Sequence, residues 1–393
     1  MEDQVVPAEI TITPKGERWH RSGHPWIYQD DLMAGDATLS GQVVQVKGPN
    51  GRPLGQAFYN GASKIALRWV TDDPEKKADR SFWEERFRAA LEYRQRVVQD
   101  STAYRLISSE ADGFPGLIVD RYDSTLVFQV LSLGIDRILP LIVELAVEMA
   151  RPKAIVACND SSVRKLEGLP LERKTLFGEP PNRIEVKEGD RRYLVDVWKG
   201  QKTGAYLDQR ENRLHARDFA RGRVLDAFAY QGGFSLQMAD RAEHVLAIED
   251  SEWAAGVLKE NLSLNSLTNV QVERANAFDR LKAMETQGER FDVVILDPPA
   301  FAKNKQEAPD AWRGYREINL RAMRILKPGG TLISCSCSHN ISDEMFLEIL
   351  REAATGARRV VRLLEIRTQS RDHPILLTHP ESKYLKCLIV EAA

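Results

Sequence analysis

The chain has 393 residues, of which 43% are hydrophobic and 28% are charged, and its formal net charge at pH 7 is −2. This length predicts two or three globular domains rather than one. The charge excludes a uniformly basic nucleic-acid-binding protein, so any RNA-binding surface must be a local patch.

The cysteine content and the apolar segments indicate the cellular compartment in which the protein is expected. Four cysteines are too few for a disulfide framework, and no Cys-x-x-Cys pair indicates a metal site. The N-terminus lacks a basic-then-apolar secretion signal. The most apolar stretch, 138–150, contains two glutamates and is too short to cross a bilayer. We therefore expect a cytoplasmic protein with no metal and no membrane partner.

Residues 9 to about 72 show short alternating segments separated by Gly, Pro and Asn turns, which is typical of a small β-barrel. Basic residues lie here beside Trp19, Trp26 and Tyr28 and could bind phosphates next to stacked bases. These basic residues are Lys15, Arg18, Arg21, Lys47, Arg52, Lys64 and Arg68. A solvated surface over an aromatic core is the alternative, and it stays open.

The middle of the chain carries no recognisable chemical motif. Residues 72–79 are charged, contain a proline and predict a linker. A helix is expected over 81–99, and 104–178 mixes strands with a helix near 136–150 in an α+β module.

A β-hairpin over 184–197 leads into the last part of the chain. Asp208 has the chemistry of a helix N-cap, with Glu211 three positions further on. The expected domains are a β-barrel, a central module and a C-terminal domain that begins with the hairpin, at 1–75, 76–182 and 183–393.

Beyond residue 220, apolar strands alternate with helical segments, as in an open parallel sheet. Asp226 ends the first of these strands, and Gly232 and Gly233 form a loop before a helix. The loop lacks the full Gly-x-Gly-x-x-Gly pattern that closes on a pyrophosphate. S-adenosylmethionine has no phosphate, and Asp226 could meet its ammonium group. A purely structural turn is the alternative for this loop taken alone.

Three further strands end in polar residues, Glu249, Asn276 and Asp297. Ligands of such sheets bind beyond the carboxyl ends of the strands. Glu249 falls where a ribose-binding carboxylate is expected, and the Asn276 amide could contact adenine. Four strands that end in polar groups at one edge favour a cofactor crevice.

Asp297-Pro-Pro-Ala-Phe301 follows the fourth strand and is typical of enzymes that methylate planar nitrogen-containing substrates, at nitrogen or carbon. The prolines stiffen the backbone, and the Phe301 ring could stack on an extruded base. Lys303 and Arg313 follow closely and could hold phosphates. Solvated charge is the alternative interpretation of both.

Two cysteines, Cys335 and Cys337, stand at the end of the next predicted strand. Methylation of cytosine at carbon 5 needs a thiolate that adds to carbon 6 of the ring. Cys337 is closer to the crevice edge and is the better nucleophile, whereas Cys335 is the better buried strand residue. Burial of both as inert thiols is the alternative. A metal pair is less favoured, because no other ligands cluster nearby.

The order of these motifs resembles the RlmI-type bacterial 23S rRNA 5-methylcytosine methyltransferases over essentially the whole chain. The residues that carry the resemblance are Asp226, Gly232-Gly233, Glu249, Asn276, Asp297–Phe301, Ser336–Ser338, Thr203–Arg210, His373-Pro374 and Tyr384–Lys386. The resemblance implies an α/β protein with an N-terminal PUA domain, a central α+β module and a C-terminal class I, Rossmann-like S-adenosylmethionine-dependent methyltransferase domain.

The resemblance also implies roles for single residues. Cys337 becomes the nucleophile, and Asp297 faces the target base. The implied cofactor-binding residues are Gln209, Arg210, Asp226, Phe228, Tyr230, Gly232, Glu249, Asn276, Ala277 and Asp297. Two of these depart from the family pattern, because Glu249 and Asn276 stand where Asp is common. The fourth-strand motif also lacks a Pro-Cys pair, so Cys337 would act without a helper thiol.

The expected function is S-adenosylmethionine-dependent formation of 5-methylcytosine in RNA. The expected partner is 23S rRNA or a large-subunit particle, and a homodimer stays open. An exocyclic-amine methyltransferase acting on guanine N2 is the nearest alternative, and a non-catalytic RNA-binding assembly factor is the second. A nicotinamide-dependent dehydrogenase is disfavoured, because the phosphate fingerprint is incomplete.

Overall fold

The computed structural model describes residues 8–301 and 305–393. The described residues form two compact units, each built from several chain segments. The first unit comprises residues 8–186, 195–207 and 372–382. The second comprises the described residues of 187–194, 208–371 and 383–393. Within the described ranges, every helix is too short or too polar to cross a membrane.

A five-stranded sheet and one helix open the first unit. These elements are β1 (Glu9–Thr11), α1 (Pro14–Arg21), β2 (Trp26–Tyr28), β3 (Val43–Lys47), β4 (Pro53–Tyr59) and β5 (Ile65–Thr71). The strand order is β1-β3-β4-β5-β2, with β1 parallel to β3 and the other neighbours antiparallel. Val44 and Val46 are fully buried while their neighbours in β3 are partly exposed, as one buried sheet face requires.

Arg68 of β5 is not part of an RNA-binding surface, because it is only 7% exposed. Its guanidinium donates to Glu110 Oε1 at 3.2 Å and to Glu167 Oε1 at 3.1 Å. The expectation that Arg68 could bind phosphate is therefore wrong. By contrast, Arg18 and Arg52 are exposed.

A second five-stranded sheet with helices completes the first unit. Its elements are α2 (Arg80–Val97), β6 (Ala103–Ser108), β7 (Leu117–Tyr122), β8 (Thr125–Val130), α3 (Leu133–Ala150), β9 (Ala154–Asn159), α4 (Val163–Leu166) and β10 (Glu172–Gly178). The order is β10-β9-β8-β7-β6, with β8 and β9 parallel. Trp83 and Phe87 of α2 and Ile142 of α3 are buried in one apolar core with this sheet.

The second unit is built on a seven-stranded sheet. A two-stranded sheet of β11 (Ile184–Glu188) and β12 (Arg191–Val195) comes first in the chain. The elements that follow are α5 (Arg210–Ala216), β13 (Arg223–Asp226), α6 (Gly233–Met238), β14 (His244–Glu249), α7 (Glu252–Leu264), β15 (Val270–Arg274), α8 (Ala277–Gln287), β16 (Phe291–Leu296), α9 (Ala308–Ile325), β17 (Leu326–Ser336), α10 (Asp343–Ala357), β18 (Val361–Arg367) and β19 (Lys386–Ala392). The order is β15-β14-β13-β16-β17-β19-β18, and β19 runs antiparallel to both of its neighbours.

The central strands of this sheet are apolar throughout because both of their faces are covered. Leu225 and Val294 belong to the core on one face, whereas Val224 and Val293 belong to the core on the other. The strand order reverses between β13 and β16, which pair in parallel. Such a switch point leaves a crevice beyond the carboxyl ends of the two strands, and the candidate site lies there.

Candidate active site

Asp226, the last residue of β13, is 1% exposed. Its Oδ2 accepts hydrogen bonds from the Ser235 amide at 3.1 Å and the Ser235 hydroxyl at 2.7 Å. Its Oδ1 is buried and has no hydrogen-bond partner. Burial raises the pKa of Asp226 to about 6, against the lowering effect of the Ser235 hydrogen bonds. One oxygen of a buried carboxylate is therefore available to a cationic donor.

The loop after β13 turns tightly into α6. Gly232 has a φ of +90°, and a Cβ there would stand 2.5 Å from Leu236 Cδ1. Tyr230 also has a positive φ, 48°, and its amide donates to Glu249 Oε2 at 2.8 Å. The Ser251 amide donates to the other Glu249 oxygen at 2.8 Å. Burial raises the pKa of Glu249 while these two amide donors oppose the rise. The carboxylate is thus held at the carboxyl end of β14.

The residues after β15 have a structural role of their own. Asn276 is the N-cap of α8, and its side-chain oxygen accepts from the amides of Phe278 and Asp279 at 3.0 and 3.4 Å. Its amide nitrogen remains as the group that could meet a base edge. Ala277 begins α8 and is buried, and Phe228 contacts Phe278 edge to face at 6.4 Å between ring centroids.

Gln209 joins the start of α5 to the end of β16. Its Nε2 donates to Asp297 Oδ1 at 2.9 Å, and its Oε1 accepts from Asn212 at 2.7 Å. Burial raises the pKa of Asp297 to about 7, with Asp226 among the carboxylates that raise it further, while the Gln209 hydrogen bond lowers it. Arg210 is buried next to Gln209 and lies 3.4 Å from a carboxylate oxygen of Glu211.

The helix-capping prediction for Asp208 is wrong. Helix α5 begins at Arg210, its N-cap residue is Gln209, and no side chain caps it. The Asp208 carboxylate instead accepts a hydrogen bond from the Tyr384 hydroxyl at 2.8 Å. Local sequence does not reveal this tertiary contact between Asp208 and Tyr384.

The three predicted substrate-binding residues differ in surroundings. The partly buried Phe301 ring packs on Tyr315, with centroids 4.5 Å apart, and on Phe278, with centroids 5.6 Å apart. Arg313 is exposed on α9 and forms an ion pair with Asp310. Such a surface pair is weak enough to exchange for a phosphate. Lys303 lies outside the described residues.

The two cysteines of β17 and its end occupy different environments. Cys335 is fully buried opposite Cys387 of β19, and burial raises its pKa well above the usual thiol value. Cys337 is the first residue after β17 and is partly exposed. Because β17 runs parallel to β16, Cys337 and Asp297 both follow the carboxyl ends of adjacent strands.

Lys386, which only the resemblance brought into view, fixes the segment that carries Cys337. Its Nζ donates to the carbonyls of Ser338 at 2.7 Å and Ile341 at 2.8 Å, and the residue is 5% exposed. Burial lowers the pKa of Lys386 to about 8, although Asp343 and Cys337 act to raise it. The Ser338 hydroxyl of this turn also lies 3.0 Å from the Tyr315 hydroxyl.

The arrangement fits S-adenosylmethionine. The unsatisfied Oδ1 of Asp226 suits an ammonium donor, and the held Glu249 carboxylate suits ribose hydroxyls.

Two family models match separate parts of this chain. Residues 10–72 match the family model of a PUA-like domain, and residues 171–373 match that of S-adenosylmethionine-dependent methyltransferases.

Curated relatives extend the match along the chain. The protein named Ribosomal RNA large subunit methyltransferase I from Serratia proteamaculans is 37% identical over 372 residues, which are 92% of this chain and 94% of that protein. The protein of the same name from Yersinia pseudotuberculosis is 37% identical over 373 residues, with the same coverage.

Solved structures share the fold. A candidate SAM-dependent methyltransferase from Streptococcus mutans superposes with a TM-score of 0.83 at 20% identity, over 98% of this chain and 100% of the other. A second structure, of a candidate methyltransferase complexed with SAH, has a TM-score of 0.83 at 21% identity, over 98% of this chain and 100% of the other.

The predicted fold class and cofactor are thus confirmed. The chain belongs to the Ribosomal RNA large subunit methyltransferase I family, and it is an S-adenosylmethionine-dependent methyltransferase with a PUA-like domain.

Proposed function

We propose that the enzyme methylates carbon 5 of a cytosine in large-subunit ribosomal RNA, with Cys337 as the nucleophile. The observation that carries this proposal is the contrast between the two cysteines. Cys335 is sealed in the core, whereas Cys337 is partly exposed just beyond β17, at the sheet edge that also holds Asp226 and Asp297.

The chemistry follows from the ring. Carbon 5 of cytosine is a poor nucleophile, and S-adenosylmethionine supplies an electrophilic methyl group on a sulfonium. The Cys337 thiolate adds to carbon 6, which moves an electron pair to carbon 5 and lets carbon 5 take the methyl group. Methyl transfer releases S-adenosylhomocysteine as the leaving group. A base then takes the carbon 5 proton and passes it to solvent, and the electron pair of that bond restores the ring double bond as the thiolate leaves carbon 6, so the enzyme is regenerated.

Two neighbouring groups could assist the reaction: Asp297 as a proton donor to the ring, and Lys386 as a cation near the thiolate. Asp297, with a pKa of about 7, holds a proton at neutral pH in part of the molecules, and Gln209 occupies only its Oδ1. The protonated acid can therefore donate to the pyrimidine as the adduct forms. A cationic Lys386 attracts the Cys337 thiolate and so favours the reactive form.

Two observations support large-subunit RNA as the substrate. The relatives at 37% identity carry that substrate in their name, and residues 10–72 match a PUA-like domain. Exposed Arg18 and Arg52 of that domain and exposed Arg313 of α9 are cationic groups that can meet phosphates.

The test is methyl transfer from isotopically labelled S-adenosylmethionine to large-subunit rRNA lacking its native methyl groups, followed by nucleoside mass spectrometry. We expect label in 5-methylcytidine. Label in N2-methylguanosine would replace this proposal with exocyclic-amine methylation. RNA binding without any transfer would support the non-catalytic alternative.

Cofactor affinity should depend on Asp226. Replacing it with asparagine removes the charge that Oδ1 presents, and we expect the dissociation constant for S-adenosylmethionine to rise about 10- to 100-fold. Calorimetric titration at pH 8 measures this change. Asp250→Asn is the control, because it removes an exposed carboxylate beside Glu249 and should leave the affinity within about 3-fold. Equal binding by Asp226→Asn and the parent protein would remove Asp226 from the cofactor site.

A further inference from the structure

Two buried histidines and a glutamate meet inside the first unit, whereas the candidate active site belongs to the second unit. His24 is 3% and His379 is 5% exposed, while the side chain of Glu381 is 47% exposed. One ligand atom from each of the three lies within 4.8 Å of the other two. Glu381 Oε2 is 3.3 Å from His24 Nε2 and 3.6 Å from His379 Nε2.

The two distances from Glu381 Oε2 match a tetrahedral metal site, and the two histidine nitrogens lie within 4.8 Å of each other. Zinc bonds to histidine nitrogen and carboxylate oxygen of about 2.0–2.2 Å place neighbouring ligand atoms about 3.4 Å apart. The set is also incomplete as a hydrogen-bond network, since the buried Nε2 of His379 has no hydrogen-bond partner. A buried ring nitrogen that satisfies no donor or acceptor indicates a missing ligand.

The surroundings orient the rings for this role. His24 Nδ1 accepts a hydrogen bond from the Trp26 amide at 3.2 Å and also lies 3.4 Å from the Trp26 carbonyl, and Nε2 is directed at Glu381. Metal-binding histidines characteristically donate their other ring nitrogen to a carbonyl or a carboxylate, so a metal bound at Nε2 would move the ring proton to Nδ1, toward the Trp26 carbonyl. The His379 ring packs against the Trp26 indole at 4.4 Å between centroids, which limits its rotation.

The local charge is compatible with a dication. Arg68 is a buried cation that acts on His379, and it is paired with both Glu110 and Glu167. Two carboxylates and one guanidinium leave that cluster with one net negative charge, and Glu381 adds another. A divalent ion would therefore enter an environment of opposite sign.

We propose that His24, His379 and Glu381 bind one divalent cation of the zinc type, with the fourth position open to solvent beside Glu381. All three ligands belong to the first unit, although His24 and His379 are far apart in sequence. The ion would hold the 372–382 segment against the loop that contains Gly23, where a Cβ would stand only 2.8 Å from Thr378. The ligand set of two imidazoles and one carboxylate suits zinc better than magnesium or calcium, which prefer oxygen ligands.

The experiment titrates Zn²⁺ into full-length protein that has been stripped with a chelator and dialysed, using a chromogenic chelator as competitor. We expect one equivalent to bind, and we expect the dissociation constant to rise at least about 10-fold in His379→Asn and in Glu381→Gln. Glu381→Gln changes an exposed side chain, so it should fold even if His379→Asn does not. His244→Asn is the control, because His244 is a partly buried histidine in the second unit.

Co²⁺ in place of Zn²⁺ identifies the ligands. We expect the visible bands of tetrahedral cobalt without a thiolate charge-transfer band. At one zinc concentration, zinc should raise the thermal midpoint of the parent protein more than that of Glu381→Gln. A thiolate band would overturn the proposal, because it would assign the ion to a cysteine such as Cys337. Unchanged binding in both His379→Asn and Glu381→Gln, or no binding by the parent protein, would overturn it as well.

Discussion

Cys337→Ala is expected to lower the rate of methyl transfer at least about 1,000-fold, because carbon 5 cannot be activated without addition to carbon 6. S-adenosylmethionine affinity should stay within about 3-fold of the parent value, since the Asp226 and Glu249 contacts are untouched. Single-turnover kinetics with labelled cofactor measure the first effect, and calorimetry measures the second.

Cys335→Ala is the matched control. Cys335 is fully buried in the core and pairs across the strands with Cys387, so its loss should cost about 1 kcal/mol of stability and leave transfer nearly unchanged. RNA containing 5-fluorocytidine should form a stable covalent complex with the parent protein and with Cys335→Ala, because fluorine cannot leave carbon 5 as a proton does. Normal turnover by Cys337→Ala would instead favour attack by an exocyclic amine, which needs no thiol.

Asp297→Asn is expected to have opposite effects on activity and stability. Methyl transfer should fall about 100-fold or more, because asparagine cannot donate a proton to the pyrimidine. The unfolded carboxyl has a pKa near 3.8, and the folded one has a pKa of about 7. The folded state therefore keeps a proton that the unfolded state loses, and stability falls as the pH rises between these values.

At pH 8 this loss is roughly 2 kcal/mol after a discount for partial solvent exposure. Asp297→Asn should consequently raise the thermal midpoint of the cofactor-free protein at pH 8, and the gain should vanish near pH 4. Scanning calorimetry at both pH values measures it. If the variant were less stable than the parent at pH 8, the pKa of Asp297 in the folded protein would not be raised, and the prediction would be wrong.

Asp292 lies near the other end of the same strand, and its effect on stability should depend on pH in the opposite direction. Burial tends to raise the pKa of Asp292, but the Lys327 ammonium at 2.7 Å and the Arg223 amide at 2.8 Å outweigh it and lower the pKa. Its ionised form therefore stabilises the fold above pH 4, and this stabilisation is lost as the pH falls through the folded pKa. Asp292→Asn should lower the midpoint at pH 8.

Much of the architecture followed from local patterns. The expected helix near 136–150 lies within α3, and the fourth strand that was expected before Asp297 is β16. Helix α1 was missed inside a stretch interpreted as all β, although Thr13 as N-cap and Pro14 at the first turn were legible signals. Helix α1 has only eight residues, about two turns, so its periodicity covers too few residues to stand out among the surrounding strands.

The sequence by itself determined the alternation of strands and helices and the polar residue at the end of each parallel strand. It thereby also determined one sheet edge that carries Asp226, Glu249 and Asp297, since parallel strands share the direction of their carboxyl ends. These features depend on local periodicity and chain direction, which neighbouring residues specify.

Only the tertiary structure decided how individual polar groups are satisfied. It buried Arg68 between two carboxylates, joined Gln209 to Asp297, and placed Lys386 under the turn that follows Cys337. It also brought His24 to His379. Burial, and pairing between residues that are distant in the chain, arise from the packing of each unit, so no spacing in the chain could have revealed them.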